Sequence, residues 1–436
     1  MDFLKHIIHR IKSVIFYSFV AAGYLLIPRK KFKFNSAGAN LGLIVGEFFH
    51  ENFGKFGGYG ITAKNFTDYY NRRKDEHCIR VVIPQGFPVV PKPEIKILHD
   101  TPTLVRPETD KNYVLNFIQY QRLIKSQHIG LYLTIEYYSC YEYALLADPK
   151  NPVLIWIRDP RGPVEWANIM TVPQELAIRN IKNTEQILAA QHQDAESLHR
   201  LLRLSRRLKR KIIFVSNGHF LIPRAQGAYE LPDLKAHVLF NPIPLPADTE
   251  IKFSEKPSLC FLGRLEPQKR FWMVGELAQR FPEVDFYIGG VTNFPELMYP
   301  ILKRYEPLKN FKLLGMVDGQ KKDELLAQSW GLINTSIHEG LPVSFLETMA
   351  AGKCVISCLN PENLVETFGF YTGEILGEGM DEASLGLFSR KIKEFLNDKK
   401  GRFEKGNLAR LYIRQKHTFE RFEERFGEIL FQEGLN

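Results

Sequence analysis

Short, near-continuous apolar runs punctuate the first half of the chain: LGLIV just before Gly46, IRVVI (79–83), LYLTI (131–135), VLIWI (153–157) and IIFV (212–215). Runs that do not alternate predict strands buried on both faces, and the helix-length segments between them predict the crossovers of a parallel sheet. The stretch NPIPLPADTEIKFSEKPS, Asn241 to Ser258, interrupts this pattern with closely spaced prolines and charges, and it reads as an interdomain linker. Beyond it the pattern restarts with SLCFLG, VDFYIGG, FKLLG, WGLINT and CVIS, again separated by helix-length segments. The chain closes with an amphipathic tail from about Lys405, where Leu408, Leu411, Phe419, Phe422, Phe426 and Leu430 recur at near-helical spacing. The expectation is an α/β protein with two sheet-bearing domains.

Length and composition fit that expectation. A chain of 436 residues exceeds one ordinary core, and about 150 residues per domain allows two or three. With 44% hydrophobic and 25% charged residues the chain is of globular type, which excludes extended disorder as its organising feature. Cys78, Cys140, Cys260, Cys354 and Cys358 are odd in number and scattered, as expected for reduced thiols of a cytoplasmic protein. No D-x-D, HExxH or paired CxxC occurs, so no metal ligand is nominated and no cofactor is expected.

The formal charge of +9 changes the picture through its distribution. Within residues 1–34, Lys5, Arg10, Lys12, Arg29, Lys30, Lys31 and Lys33 stand against Asp2 alone, and they bracket the apolar run VIFYSFVAAGYLLI, Val14 to Ile27. That run is shorter than the roughly 20 apolar residues that span a bilayer. Two readings stay open: a basic apolar helix lying on an anionic membrane surface, or a helix packed on the first domain. A second basic segment, LHRLLRLSRRLKRK from Leu198 to Lys211, turns Leu198, Leu201, Leu202, Leu204 and Leu208 to one side. Its ordinary meaning is a solvated face, with a membrane or anionic-acceptor contact left open. Nucleic acid is not expected, because no aromatic stacking motif accompanies it.

Two stretches carry candidate chemistry. In FLGRLEPQKRF, Phe261 to Phe271, a strand ends in glycine and Arg264 and Lys269 follow in the turn. Two cations at the carboxyl end of a parallel strand invite an anion such as phosphate, although surface loops with Arg and Lys are commonplace. In HEGLPVSFLETMAAG, Pro342 suits a first helical turn, so Glu339 lies before the helix and Glu347 inside it, and the amides around Val343 and Ser344 are free for an anion. Carboxylates accept bonds from paired hydroxyls and would suit a sugar and a ribose. On spacing alone, a glutamate favouring the helix dipole and a solvated glutamate explain the pair more simply.

Taken together, GRLEPQK and EGLPVSFLETMAAGKCVIS resemble the retaining GT-B glycosyltransferases of family 4, the glycosyl transferases group 1, with Glu339 and Glu347 on the E-x7-E motif. The likeness runs from Val215 to about Thr372, includes the Asn-Pro turn of NPIPLP, and weakens toward the amino terminus. It implies two Rossmann-like domains facing across a cleft: an acceptor domain over 35–245, a nucleotide-sugar domain over 246–404, and a C-terminal helix over 405–436 that crosses back to the first domain. It also implies a nucleotide-sugar donor, a glycan or lipid-linked acceptor, and transfer of a hexose with retention and without a metal. Residue by residue, Arg264 and Lys269 would hold the diphosphate, Glu339 the donor sugar and Glu347 the ribose. The glycine-rich loop of such enzymes is matched loosely by GEFFHENFGKFGGYG, where Gly57 and Gly58 would admit the donor phosphates, a plain flexible loop being the alternative. The cleft histidine of many relatives has no counterpart in VLIWIRDPRGPVEW; Asp159 and Arg161 either take its place near the sugar or acceptor, or cap the following turn. Two other classes stay open, a catalytically silent binding protein with this fold and a membrane or nucleic-acid interaction protein.

Overall fold

The computed structural model describes Ser18, Val20, 23–25, 27–29, Phe32, 39–48, 57–72, 79–83, 90–106, 113–175, 184–246 and 250–435. Every apolar run expected to be a strand forms one. The first sheet has the order β3-β4-β2-β1-β5-β6-β7-β8, with β1 Asn40–Ile44, β2 Ile79–Ile83, β3 Glu94–Leu98, β4 Thr101–Val105, β5 Ile129–Ile135, β6 Val153–Ile157, β7 Ile212–Ser216 and β8 His237–Val238. All its pairings are parallel except β3 with β4. The second sheet, entirely parallel, has the order β11-β10-β9-β12-β13-β14, with β9 Ser258–Leu262, β10 Asp285–Gly289, β11 Phe311–Gly315, β12 Gly331–Asn334, β13 Cys354–Ser357 and β14 Phe370–Tyr371.

The additional strands are those a buried-run pattern cannot show. β3 is a half-exposed edge strand, and it joins β4 through His99 and Asp100, both at positive φ (47° and 54°), the geometry of a two-residue hairpin turn. β8 and β14 are two residues long. In each sheet the strand order reverses once, between β1 and β5 and between β9 and β12, and crevices at the carboxyl ends of such reversals are where open α/β sheets bind ligands.

The tail corrects the expected stripe. It comprises two helices, Lys399–Lys416 and Phe419–Gln432, broken at His417 and Thr418, and the Thr418 side chain caps the second by accepting from the Arg421 N–H. Because the break resets the helical phase, Leu408 and Leu411 are exposed, whereas Gly406, Ala409 and Ile413 face inward on the second domain. Phe419, Phe422, Phe426, Ile429 and Leu430 join the first-domain core around Leu43, Phe66 and Trp156, and Phe422 meets Phe66 edge-on with ring centroids 5.1 Å apart. A second bridge runs the other way. Ile169 and Val172, which follow β6 in the chain, are buried in the second-domain core beside Met273 and Ile337.

Of the amino-terminal segment, Val20 and Ile27 are buried against Tyr120 and Tyr143, and Phe32 packs edge-on against Phe426. These residues are packed on the first domain, while Leu25 is exposed. Lys5, Arg10, Lys12, Lys30, Lys31 and Lys33 lie outside the described residues. Among the described residues no helix is long and apolar enough to cross a membrane. The basic segment forms the end of the helix Thr184–Arg207: Leu198 and Leu201 are buried, Arg200 pairs with Glu142, and Arg203, Arg206 and Arg207 are exposed.

Candidate active site

The carboxyl ends of the two sheets face one another across a cleft of about 950 Å³. The second-domain wall is built at the β9/β12 reversal. β9 leads into Gly263 and Arg264, whose backbone is held against the end of β10 by Gly263 N–H to Gly289 O at 3.1 Å and Leu265 N–H to Val291 O at 2.9 Å. The approach is so close that a Cβ on Gly290 (φ 154°) would lie 1.9 Å from Gly263 O. Arg264 is partly exposed to the cleft, with Glu266 3.4 Å from its guanidinium.

Lys269 and Glu339 lie 70 residues apart in sequence, and the adjacency of β9 and β12 brings them together. The Lys269 ammonium pairs with Glu339 Oε1, which also accepts from Ser336 Oγ at 2.6 Å. Glu347 lines the cleft from inside the helix Val343–Ala350, and its Oε1 is 2.7 Å from Lys322 Nζ. Burial pushes the Glu347 carboxyl up against the pull of Lys322, and Glu347 raises the Lys322 ammonium against the opposing effect of burial. Val343 and Ser344 border the cleft in the first turn of that helix, where N–H groups have no intrahelical acceptor.

On the first-domain wall, Gly57 and Gly58 stand at the start of the helix Gly58–Arg72, the rest of the glycine-rich stretch from 49 to 56 lying outside the described residues. A Cβ on Gly57 would come within 2.9 Å of Glu47 Oε1 and 3.6 Å of the Arg264 guanidinium carbon, so this loop abuts the cation across the cleft. Glu47 in turn accepts from the Gly60 N–H at 3.0 Å. Around Gly58 there is open space.

Asp159 and Arg161 also line the cleft, but their polar groups are engaged. Arg161 Nη2 donates to Asp159 Oδ2 at 2.6 Å, and Asp159 Oδ1 lies 2.7 Å from His338 Nε2 on the second domain. Burial alone would raise the Asp159 carboxyl, but Arg161 and His338 together hold it below the usual carboxylate range. Neither residue caps the following turn. That role falls to Glu165, three residues beyond the N-cap Gly162, whose carboxylate accepts from the Gly162 N–H at 2.9 Å, the half of a capping box that a glycine N-cap permits.

Four further residues belong to the site, none of them a candidate from the sequence: Glu136, Gln268, Lys322 and His338. Glu136, buried at the end of β5 with φ 65°, accepts from the Arg158 and Asp159 N–H groups at 2.8 and 2.7 Å and from the Tyr229 hydroxyl. Burial raises its pKa against those bonds. A carboxylate directly after LYLTI was the signal for it. Lys322, Gln268 and His338 carry no such signal, since each acquires meaning only from a partner distant in sequence.

Residues 247–410 match the family model described as Glycosyl transferases group 1. Over 100 residues the chain is 27% identical to one of the subunits of human phosphatidylinositol N-acetylglucosaminyltransferase, a match covering 21% of each, so it spans about a fifth of the length of that curated relative. Among solved structures, Anabaena HepE in complex with UDP-glucose superposes with a TM-score of 0.60 at 14% identity, over 90% of this chain and 99% of that one. Sucrose-phosphate synthase from Thermosynechococcus elongatus gives 0.59 at 14% identity over 90% and 98%. The lipopolysaccharide outer core galactosyltransferase WaaB gives 0.52 at 13% over 90% and 99%. The architecture is therefore GT-B: two α/β domains facing across a cleft, with the group 1 family match on the second.

Proposed function

We propose that the protein is a glycosyltransferase that moves a hexose from a nucleotide-sugar donor to a glycan or glycolipid acceptor, with retention of configuration. The observation that carries this reading is the convergence of Arg264, the Lys269–Glu339 pair and the Lys322–Glu347 pair on one wall of the cleft, beside a helix amino terminus. Departure of a nucleoside diphosphate concentrates negative charge on the leaving oxygens while the sugar becomes oxocarbenium-like. Arg264, Lys269 and the first-turn amides at Val343 and Ser344 take the diphosphate, and their bonds strengthen as that charge develops. Glu339 accepts from hydroxyls of the transferred sugar, and Glu347 from the ribose. Gly57 and Gly58 let the first-domain backbone approach the phosphates. Attack from the face the diphosphate leaves, with that group taking up the acceptor's proton, requires neither a protein nucleophile nor a metal.

The acceptor meets the first-domain wall, where Tyr59, Tyr138 and Trp166 border the cleft. A glycolipid acceptor at the cytoplasmic face of a membrane, in the assembly of a surface polysaccharide, agrees with the basic amino-terminal segment and with the lipid named for the human relative. The test is a thermal-shift panel of UDP, GDP, ADP and dTDP with their sugar conjugates. A nucleotide at about 100 times its dissociation constant stabilises the native state by about 2.7 kcal/mol. One base should shift the transition, and no shift with any of them overturns the reading.

A further inference from the structure

Gln268 and His338 immediately precede Lys269 and Glu339 in sequence, and the side chain of each bonds to the opposite domain. His338, buried, lies with Nε2 2.7 Å from Asp159 Oδ1. Facing a carboxylate, that nitrogen carries the ring proton. Asp159 Oδ2 accepts from Arg161 Nη2 at 2.6 Å and Nε at 3.1 Å, and Arg161 Nη1 donates to Gln268 Oε1 at 3.2 Å. Gln268 Nε2 then donates to the His338 carbonyl at 2.9 Å, which closes a ring with two members from each domain. The same second-domain loop is held at two further points. A Cβ on Gly340 would lie 2.1 Å from Arg158 O, and Arg224 Nη1 donates to the Glu339 carbonyl at 2.9 Å.

We infer that His338, Asp159, Arg161 and Gln268 form an interdomain clasp that positions the Lys269–Glu339 pair, so that the sugar-handling loop takes its working geometry only while the first domain is docked on it. This rests on the glycosyl-transfer reading of the cleft for its kinetic consequence, though not for its structural one. Each ring member satisfies the next in a setting that is buried at His338 and half-buried at Asp159, Arg161 and Gln268, so removing one group leaves its neighbours short of a partner. The four act as positioning residues. Lys269 and Glu339, one bond further along the chain, are the groups placed to touch the donor.

The test uses the full chain with Asp159→Asn, which keeps the shape and removes the charge, Gln268→Ala, and the double variant. Three quantities are measured: turnover with a saturating donor, affinity for UDP as the probe (or for whichever nucleoside diphosphate stabilises the wild type), and hydrogen exchange of the amides over 335–341 without ligand. Each single variant should lose roughly tenfold to a hundredfold in turnover, as expected for displacement of a reacting group by a fraction of an ångström to one ångström. Nucleotide affinity should stay within about twofold, because Arg264, the first-turn amides at Val343 and Ser344 and the Gly57–Gly58 backbone, which meet the diphosphate outside the clasp, are left untouched, and this retained binding also shows that the variant is folded. The double variant should lose no more than the worse single one, as members of one network do. Losses that multiply in the double variant, or nucleotide affinity that falls in step with turnover, overturn the clasp. If the wild type neither binds a nucleotide nor transfers a sugar, the glycosyl-transfer reading has failed, and exchange still decides the clasp: faster exchange over 335–341 in Asp159→Asn upholds it and unchanged exchange overturns it.

Discussion

Replacing Lys322 with Met takes away the ammonium 2.7 Å from Glu347 and leaves a carboxylate only 14% exposed. Breaking a buried ion pair by removing one partner costs about 3–5 kcal/mol. The lower end applies here, about 3 kcal/mol, because Glu347 can relieve the penalty by taking up a proton. For domains of this size each 1 kcal/mol moves Tm by roughly 2–4 °C, so Lys322→Met should melt roughly 6–12 °C below the wild type near neutral pH. The deficit has a pH signature. Without Lys322, burial places the folded-state pKa of Glu347 above its unfolded value. The carboxyl therefore destabilises the fold most above its folded pKa, and the penalty fades as pH falls through that value. Differential scanning fluorimetry of both proteins between pH 5 and 8 measures this, and the gap in Tm should be widest at pH 8 and narrow toward pH 5. An equal Tm at pH 8, or a deficit of the same size at every pH, would show that Glu347 does not depend on Lys322 for its charge.

Three further outcomes follow from the packing and the charge distribution. Phe426 is fully buried in the first-domain core although it belongs to the last helix, so Phe426→Ala should lower stability by about 3–5 kcal/mol in urea titration; a loss under 1 kcal/mol would mean that the tail is not docked. Gly57→Ala sets a methyl 2.9 Å from Glu47 Oε1 and 3.6 Å from the Arg264 guanidinium carbon, and it should raise the donor KM, with an unchanged KM counting against a role for this loop in donor binding. Truncating the amino terminus would also remove Val20, Ile27 and Phe32 from the core, so membrane attachment is better tested by Lys5→Ala, Arg10→Ala and Lys12→Ala combined. Each charge is worth about 1 kcal/mol near an anionic surface, and co-sedimentation with anionic vesicles should drop accordingly; undiminished binding removes that segment as the anchor.

The strands of both sheets were legible because burial on two faces leaves an unbroken apolar signature, as in VLIWI and SLCFLG. The hairpin of β3 and β4 was not, since β3 is half-exposed and its turn uses His99 and Asp100 rather than the Asn-Gly that announces such turns. Arg264, Lys269, Glu339 and Glu347 could be nominated from two local stretches, and all four lie on one wall of the cleft. Lys322 and His338 could not. Lys322 meets Glu347, and Asp159 meets His338, only through strand order and domain docking, which a local pattern does not encode. Leu408 and Leu411 fall outside the buried face for a related reason: a single helical period does not run through the break at His417 and Thr418.

In the proposed reaction, Arg264 and Lys269 stabilise a departing diphosphate while Glu347 holds a part of the donor that does not change. A donor-saturation series on Arg264→Ala, Lys269→Ala and Glu347→Gln tests it most directly. Losing a group that acts mainly in the transition state typically lowers turnover about a hundred- to a thousandfold, so both cation variants should show that loss with donor binding little altered. Glu347→Gln should raise KM and leave kcat nearly intact, because its bonds are the same in ground and transition states. A turnover loss in Glu347→Gln as large as that in Arg264→Ala, with KM unchanged, or full turnover in both cation variants, would contradict the account.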